Sequence, residues 1–110
     1  RVAVIDIGSN TIKLLVATRS PSGGVDTVRY AVEEARIGRG LGGEHPVLDA
    51  DSMTRGATAV AKLLALARGD SPAKIALVAT SAVRDAANGR EFAARILRET
   101  GHHVRILTGG

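Results

Sequence analysis

The sequence contains no cysteine and no tryptophan, and its aromatics, 2% of residues, are Tyr30 and Phe92. Without a thiol there is no disulfide, no thiolate metal centre and no cysteine nucleophile, which fits a cytoplasmic protein. Two rings cannot build the stacking platforms of single-stranded nucleic-acid binders, so no specific nucleic acid is expected as a partner. Long apolar runs are missing too: Ile12 to Ala17 and Ile75 to Ala79 are strand-sized and far short of a membrane span. No membrane partner is expected. The chain opens on Arg1-Val2-Ala3-Val4 with neither an initiator Met nor the pattern of a signal peptide, and it reads as trimmed.

What is present suits one folded domain. The chain has 110 residues, 45% of them hydrophobic and 24% charged, enough for a single core built from Val, Ile, Leu and Ala. Its 15 Lys and Arg against 11 Asp and Glu give a net charge of +4, which favours anionic partners without identifying them. Twelve of the cations are Arg, the better bidentate ligand for phosphate.

Periodicity and turn residues divide the chain into elements. Strands are expected over Val2 to Ile7, Ile12 to Thr18 and Val25 to Ala35, separated by Gly8-Ser9-Asn10 and by Ser20-Pro21-Ser22-Gly23-Gly24. The segment Arg36 to Pro46 is too rich in glycine to be regular and is expected to be a mobile loop over the domain edge. Apolar positions Met53, Ala57, Val60, Ala61, Leu64 and Ala67 predict a helix from about Asp51 to Arg68, with Asp49, Asp51 or Ser52 as N-cap and Gly69 as the stop. Lys74 to Ala79 predicts a strand buried on both faces, with helices covering its neighbours. A second helix is expected from Gly89 to Thr100, capped by Asn88 and ended by Gly101, and His102 to Leu107 closes as a strand. The order β-β-β-α-β-α-β, an antiparallel start followed by parallel crossovers, resembles the ribonuclease H-like half-domain shared by actin, sugar kinases and Hsp70-type ATPases.

Two short constellations carry chemistry. An apolar strand delivers Asp6 to its end, and Gly8, Ser9, Asn10 and Thr11 follow with backbone and side-chain donors for an oxyanion, while Asp6 suits a hydrated divalent metal. The same residues also make an ordinary hairpin turn. The second constellation, Thr80, Ser81 and Arg84, stands where the buried strand runs out, the end at which open α/β sheets bind ligands. It equally suits a helix cap with Arg84 paired to Asp85 or Glu91. Adjacent His102 and His103 point to opposite sides of a strand and cannot chelate one metal, and His45 stands alone in its loop. Glu33 and Glu34, also adjacent, are no paired-carboxylate site.

Taken together, Asp6-Ile7-Gly8-Ser9-Asn10-Thr11, Arg39-Gly40-Leu41-Gly42, Met53-Thr54-Arg55-Gly56 and Ala79-Thr80-Ser81-Ala82-Val83-Arg84-Asp85-Ala86-Ala87-Asn88 occur in an order and spacing that resembles the N-terminal half-domain of the exopolyphosphatase and guanosine pentaphosphate phosphohydrolase family. Sugar kinases and actin-like proteins share the first kind of turn but not the Thr80 to Asn88 string. The resemblance implies that Asp6 orients a divalent ion, usually Mg2+, through water, that Gly8, Ser9, Asn10 and Thr11 contact phosphate, and that Thr80, Ser81 and Arg84 grip a terminal phosphoryl group. Arg39 would reach the polyanion. The implied ligand is inorganic polyphosphate or pppGpp, with water attacking in line. The family's general base lies in a Gly-x-Glu-Glu-Ala segment after the last strand, and a second half-domain follows it. This chain stops at Thr108-Gly109-Gly110, so the expectation is an inactive fragment of a two-part phosphatase, lacking its C-terminal half-domain and prone to self-association. The alternatives are half of an actin-like ATPase or sugar kinase, or a non-catalytic module that binds phosphate-bearing ligands.

Overall fold

The computed structural model describes residues 1–38 and 46–107; Arg39, His45 and Thr108, Gly109 and Gly110 are among those outside the described residues. The elements are β1 (Val2–Ile7), β2 (Ile12–Arg19), β3 (Val25–Glu33), α1 (Ala50–Gly69), β4 (Lys74–Ala79), α2 (Ser81–Asp85), α3 (Gly89–Thr100) and β5 (Val104–Ile106). They form a five-stranded mixed sheet in the order β3-β2-β1-β4-β5. β1 pairs antiparallel with β2 and parallel with β4, β3 pairs antiparallel with β2, and β5 lies parallel to β4.

Alternation along the strands sets the two faces of this sheet. Ala3, Ile5 and Ile7 of β1, Ile12, Leu14 and Val16 of β2, and Leu77 and Ala79 of β4 are all buried in one core with Val60, Leu63 and Leu64 of α1 and Phe92 and Ile96 of α3. Both parallel crossovers, β3 to β4 through α1 and β4 to β5 through α2 and α3, advance across the sheet in the same direction. Right-handed connections therefore put α1 and α3 on the same face. The opposite face receives no helix among the described residues, and there Val2, Leu15, Tyr30 and Val32 are exposed. This corrects the expectation for β4: Leu77 and Ala79 are buried, but Ala76 is exposed and Val78 only half-buried.

Capping follows the sequence signals in part. Asp49 caps α1, its Oδ1 accepting the Ser52 N–H at 2.7 Å, and Gly69 is the last helical residue. Gly101 ends α3 at φ 79, its N–H donating to the Leu97 carbonyl at 2.8 Å. Asn88 does not cap α3 with its side chain; it bridges the chain leading into α1, accepting the Leu48 N–H and donating to the Leu48 carbonyl, both at 2.8 Å. The last strand is shorter than expected, because His102 and His103 precede it and the His102 N–H donates to Thr100 Oγ1. Of the segment read as a mobile loop, Arg36 to Gly38 are instead firmly held: Ile37 is fully buried and its neighbours hydrogen-bond to the β1–β2 turn. No helix among the described residues is long and apolar enough to cross a membrane.

Candidate functional site

The β1–β2 ladder closes at the pair Ile7 and Ile12, leaving residues 8 to 11 as the turn. The Gly8 N–H donates to the Thr11 carbonyl at 3.0 Å, and a Cβ on Gly8 would come equally close to that oxygen. Gly8 therefore shapes the turn and spends its own N–H inside it. The residues after β3 lie against this turn: Arg36 N–H donates to the Asn10 carbonyl and Gly38 N–H to the Ser9 carbonyl, each at 2.9 Å. A Cβ on Gly38 would stand 3.0 Å from the Ser9 Cβ, so the approach needs glycine. From α1, Arg55 holds the same stretch, its Nε donating to the Ala35 carbonyl at 2.9 Å and its Nη2 to the Arg36 carbonyl at 3.2 Å and to buried Ser52 Oγ at 3.0 Å.

On the other side of β1 the parallel ladder continues past β4, the Thr80 N–H donating to the Ile7 carbonyl at 3.2 Å. Ser81 then opens α2, and its Oγ lies 3.3 Å from the Oγ of Ser9, a contact between residues 72 positions apart. The two constellations meet there. Thr80 occupies the N-cap position of α2 without capping it through its side chain. Arg84, on the last turn of α2, donates from Nε to Asp85 Oδ1 at 3.0 Å and borders a cleft of about 290 Å3 together with Arg90 and Ile106.

Asp6 sits on the open face of the sheet, between Lys13 on β2 and Val78 on β4. Its Oδ1 is buried and has no hydrogen-bond partner among the described residues. A carboxylate oxygen withdrawn from water needs a cation or donor to offset its desolvation. The fit to a metal is that of one ligand only, since no group of three or more His, Cys, Asp or Glu that could hold an ion occurs among the described residues. A single carboxylate suits a divalent ion that keeps most of its waters.

Sequence reasoning passed over two residues at this site. A cleft of about 530 Å3 is lined by Ser9, Asn10 and Thr11 on one side and by Glu34, Arg36 and Gly38 on the other. Glu34 and Arg36 form a loose ion pair at 3.6 Å, with side chains 70% and 63% exposed. The signal available was the Arg36-Ile37-Gly38 string itself, an apolar anchor between a cation and a glycine, which its glycine-rich surroundings concealed.

Known proteins share the chain's sequence pattern and fold. A profile of the Ppx/GppA phosphatase family matches residues 16–110. Guanosine-5'-triphosphate,3'-diphosphate pyrophosphatases of Pseudoalteromonas translucida and Vibrio cholerae are each 36% identical to the chain over 108 residues, which is 97% of this chain and 21% of theirs. The chain thus spans about a fifth of the length of the curated relatives it matches. Among solved structures, the Ppx/GppA phosphatase of Aquifex aeolicus superposes with a TM-score of 0.88 at 28% identity, covering 97% of this chain and 35% of that one. An exopolyphosphatase of Cytophaga hutchinsonii shares the fold, with a TM-score of 0.88 at 24% identity over 96% of this chain and 33% of its own. With the family profile matched over most of its length and the mixed sheet superposing on these structures, the chain belongs to the Ppx/GppA phosphatase family.

Proposed function

We propose that these 110 residues form the N-terminal, phosphate-gripping half-domain of a longer phosphatase that releases the terminal phosphoryl group of inorganic polyphosphate or pppGpp. The observation that carries this reading is the Ser9–Ser81 hydroxyl contact at 3.3 Å, which puts the β1–β2 turn and the start of α2 on one surface at the ends of β1 and β4. The relatives named for guanosine-5'-triphosphate,3'-diphosphate supply the pppGpp alternative, and the exopolyphosphatase fold neighbour supplies the other. Family membership favours a phosphatase over half of an ATPase or sugar kinase.

In this reading Ser9, Asn10 and Thr11 donate to phosphoryl oxygens from one side, and Thr80 and Ser81 from the other. Arg84 offsets the charge that builds on the transferring group, the largest contribution a protein makes to phosphoryl transfer. Asp6, near the end of β1, would hold the hydration shell of a divalent ion, Mg2+ in this proposal. When bound, the ion neutralises phosphate charge. The general base would come from the segment that follows the last strand in the family, so this stretch binds phosphate and does not hydrolyse it. The open apolar sheet face is the surface the rest of a longer chain would cover, and on which the isolated stretch would self-associate. A cytoplasmic location belongs to the same reading.

The test is phosphate release from polyphosphate and from pppGpp by the 110-residue chain and by a version extended through the companion half-domain. Release by the extended protein alone is expected. A folded extended protein that is inert toward both, or that transfers phosphate from ATP to a sugar, would overturn the proposal.

A further inference from the structure

Arg36 holds an awkward backbone position. At φ 49 it is one of two non-glycine residues with positive φ among the described residues, a conformation that disfavours every side chain except glycine's. The strain is imposed from several directions: its N–H is bonded to the Asn10 carbonyl, its own carbonyl to Arg55, and the next residue, Ile37, is buried in the core. Glycine would meet all of these constraints at lower cost. Strained non-glycine residues of this kind cluster where the side chain is needed.

The side chain stands where a cation has work to do. It lines the cleft of about 530 Å3 whose other wall is Ser9, Asn10 and Thr11, a turn that contributes only neutral groups. Its partner is Glu34, at 3.6 Å in an exposed pair. Such pairs contribute little to stability and exchange readily for a stronger anion. Position adds a further constraint on what that anion can be. Arg36 follows β3 and Arg84 follows β4, with β2 and β1 between those strands, so the two cations flank the turn from opposite sides. The Arg36 N–H is bonded to the Asn10 carbonyl on one flank of the turn, and Ser81 meets Ser9 on the other. A chain of linked phosphoryl groups can engage both flanks with several contacts at once.

We propose that Arg36 is a second anion-binding arm of this site, released from Glu34 to engage phosphoryl groups of an extended polyanion distal to the one held at the Ser9–Ser81 surface. The inference rests on the phosphate-binding reading of that surface and adds a residue and a ligand length to it. Arg36 binds and positions the ligand and takes no part in bond breaking.

The experiment is equilibrium binding of orthophosphate, tripolyphosphate and long-chain polyphosphate to the 110-residue chain at fixed ionic strength, with thermal melting of each variant. R36A should weaken long-chain binding roughly tenfold, the worth of one charge-assisted contact, and change orthophosphate binding less than about twofold. R36G should lose the same affinity while melting no lower than the parent, because it relieves the positive φ; misfolding then cannot explain the loss. E34Q, which removes the competing carboxylate, should tighten long-chain binding by about two- to threefold. R98A, on the exposed side of α3, controls for bulk charge and should leave affinity unchanged. If the parent binds none of the three ligands, the phosphate-binding reading falls and this inference with it. If the parent binds and R36A is silent, weakens all ligands equally, or merely matches R98A, the inference alone is overturned.

Discussion

Gly56 of α1 connects helix packing to the site, and replacing it with alanine tests that connection quantitatively. A Cβ at Gly56 would lie 2.6 Å from Phe92 Cζ, 2.9 Å from Ile37 Cγ2 and 3.1 Å from Phe92 Cε1. Carbon atoms pack best at about 3.5–4.0 Å, so the closest neighbour must retreat by about 1 Å. Phe92 and Ile37 are both fully buried and have no open space to move into. Overpacking of this kind costs about 1–3 kcal/mol, and pressure from two sides places it near the upper end. Alanine recovers about 1 kcal/mol of helix propensity lost at glycine. The net expectation for Gly56→Ala is a destabilisation of about 2 kcal/mol, or roughly 8 °C in melting temperature for a domain of this size. Urea and thermal unfolding measure it. On a Phe92→Leu background, where no ring atom occupies the Cζ position, the cost of Gly56→Ala should fall below about 1 kcal/mol. Because Ile37 lies between Arg36 and Gly38, the same substitution should also weaken phosphate binding. A rise in melting temperature for Gly56→Ala in the parent would refute the packing argument, since propensity would then be unopposed.

Three further outcomes follow from single residues. Asp6→Asn should abolish any dependence of phosphate binding on Mg2+ while leaving the melting temperature unchanged or higher, because a buried, unpartnered carboxylate oxygen is replaced by a neutral group; unaltered Mg2+ dependence would remove Asp6 from the site. Asp49 is held below the ordinary carboxylate value by the Ser52 N–H it accepts and by the Ser52 hydroxyl, and Asp70 is lowered likewise by its hydrogen bond and charge pairing with Arg29. A carboxylate whose folded pKa is depressed stabilises the fold above its unfolded pKa and loses that contribution as pH falls through the folded one, so melting temperature should drop below about pH 4 and drop less steeply in Asp70→Asn. Leu15, exposed on the open sheet face, should drive concentration-dependent association that Leu15→Glu abolishes in sedimentation runs; a parent that stays monomeric at every concentration would contradict this.

Much of the scaffold could be read from the residues. β1, β4 and α3 have the bounds that alternation, the Lys74 to Ala79 run and Gly101 imply, and α1 starts after one of its candidate caps. β3 ends at Glu33, short of Ala35, where the chain turns to meet Asn10. Other features depend on contacts that no local pattern encodes. α2 is five residues long, less than two turns, and leaves no periodicity to detect. β4 looks doubly buried because Ala76 and Val78 are apolar, yet both helices fall on its other face through the common direction of the crossovers. Arg36 and Glu34 join the cleft only through backbone hydrogen bonds between residues 36 and 38 and the turn, a long-range pairing hidden in a glycine-rich stretch. Asn88 has the composition of a cap and is used as a bridge to Leu48 instead.

In the proposed reading two strings far apart in sequence form one phosphate surface, the β1–β2 turn and the start of α2 touching through Ser9 and Ser81. Its most direct test is an amide-resolved NMR titration of the 110-residue chain with tripolyphosphate. Amides of Ser9, Asn10 and Thr11 and those of Thr80, Ser81 and Arg84 should shift together along one binding isotherm. Shifts in only one of the two groups, or two isotherms with separate midpoints, would contradict it.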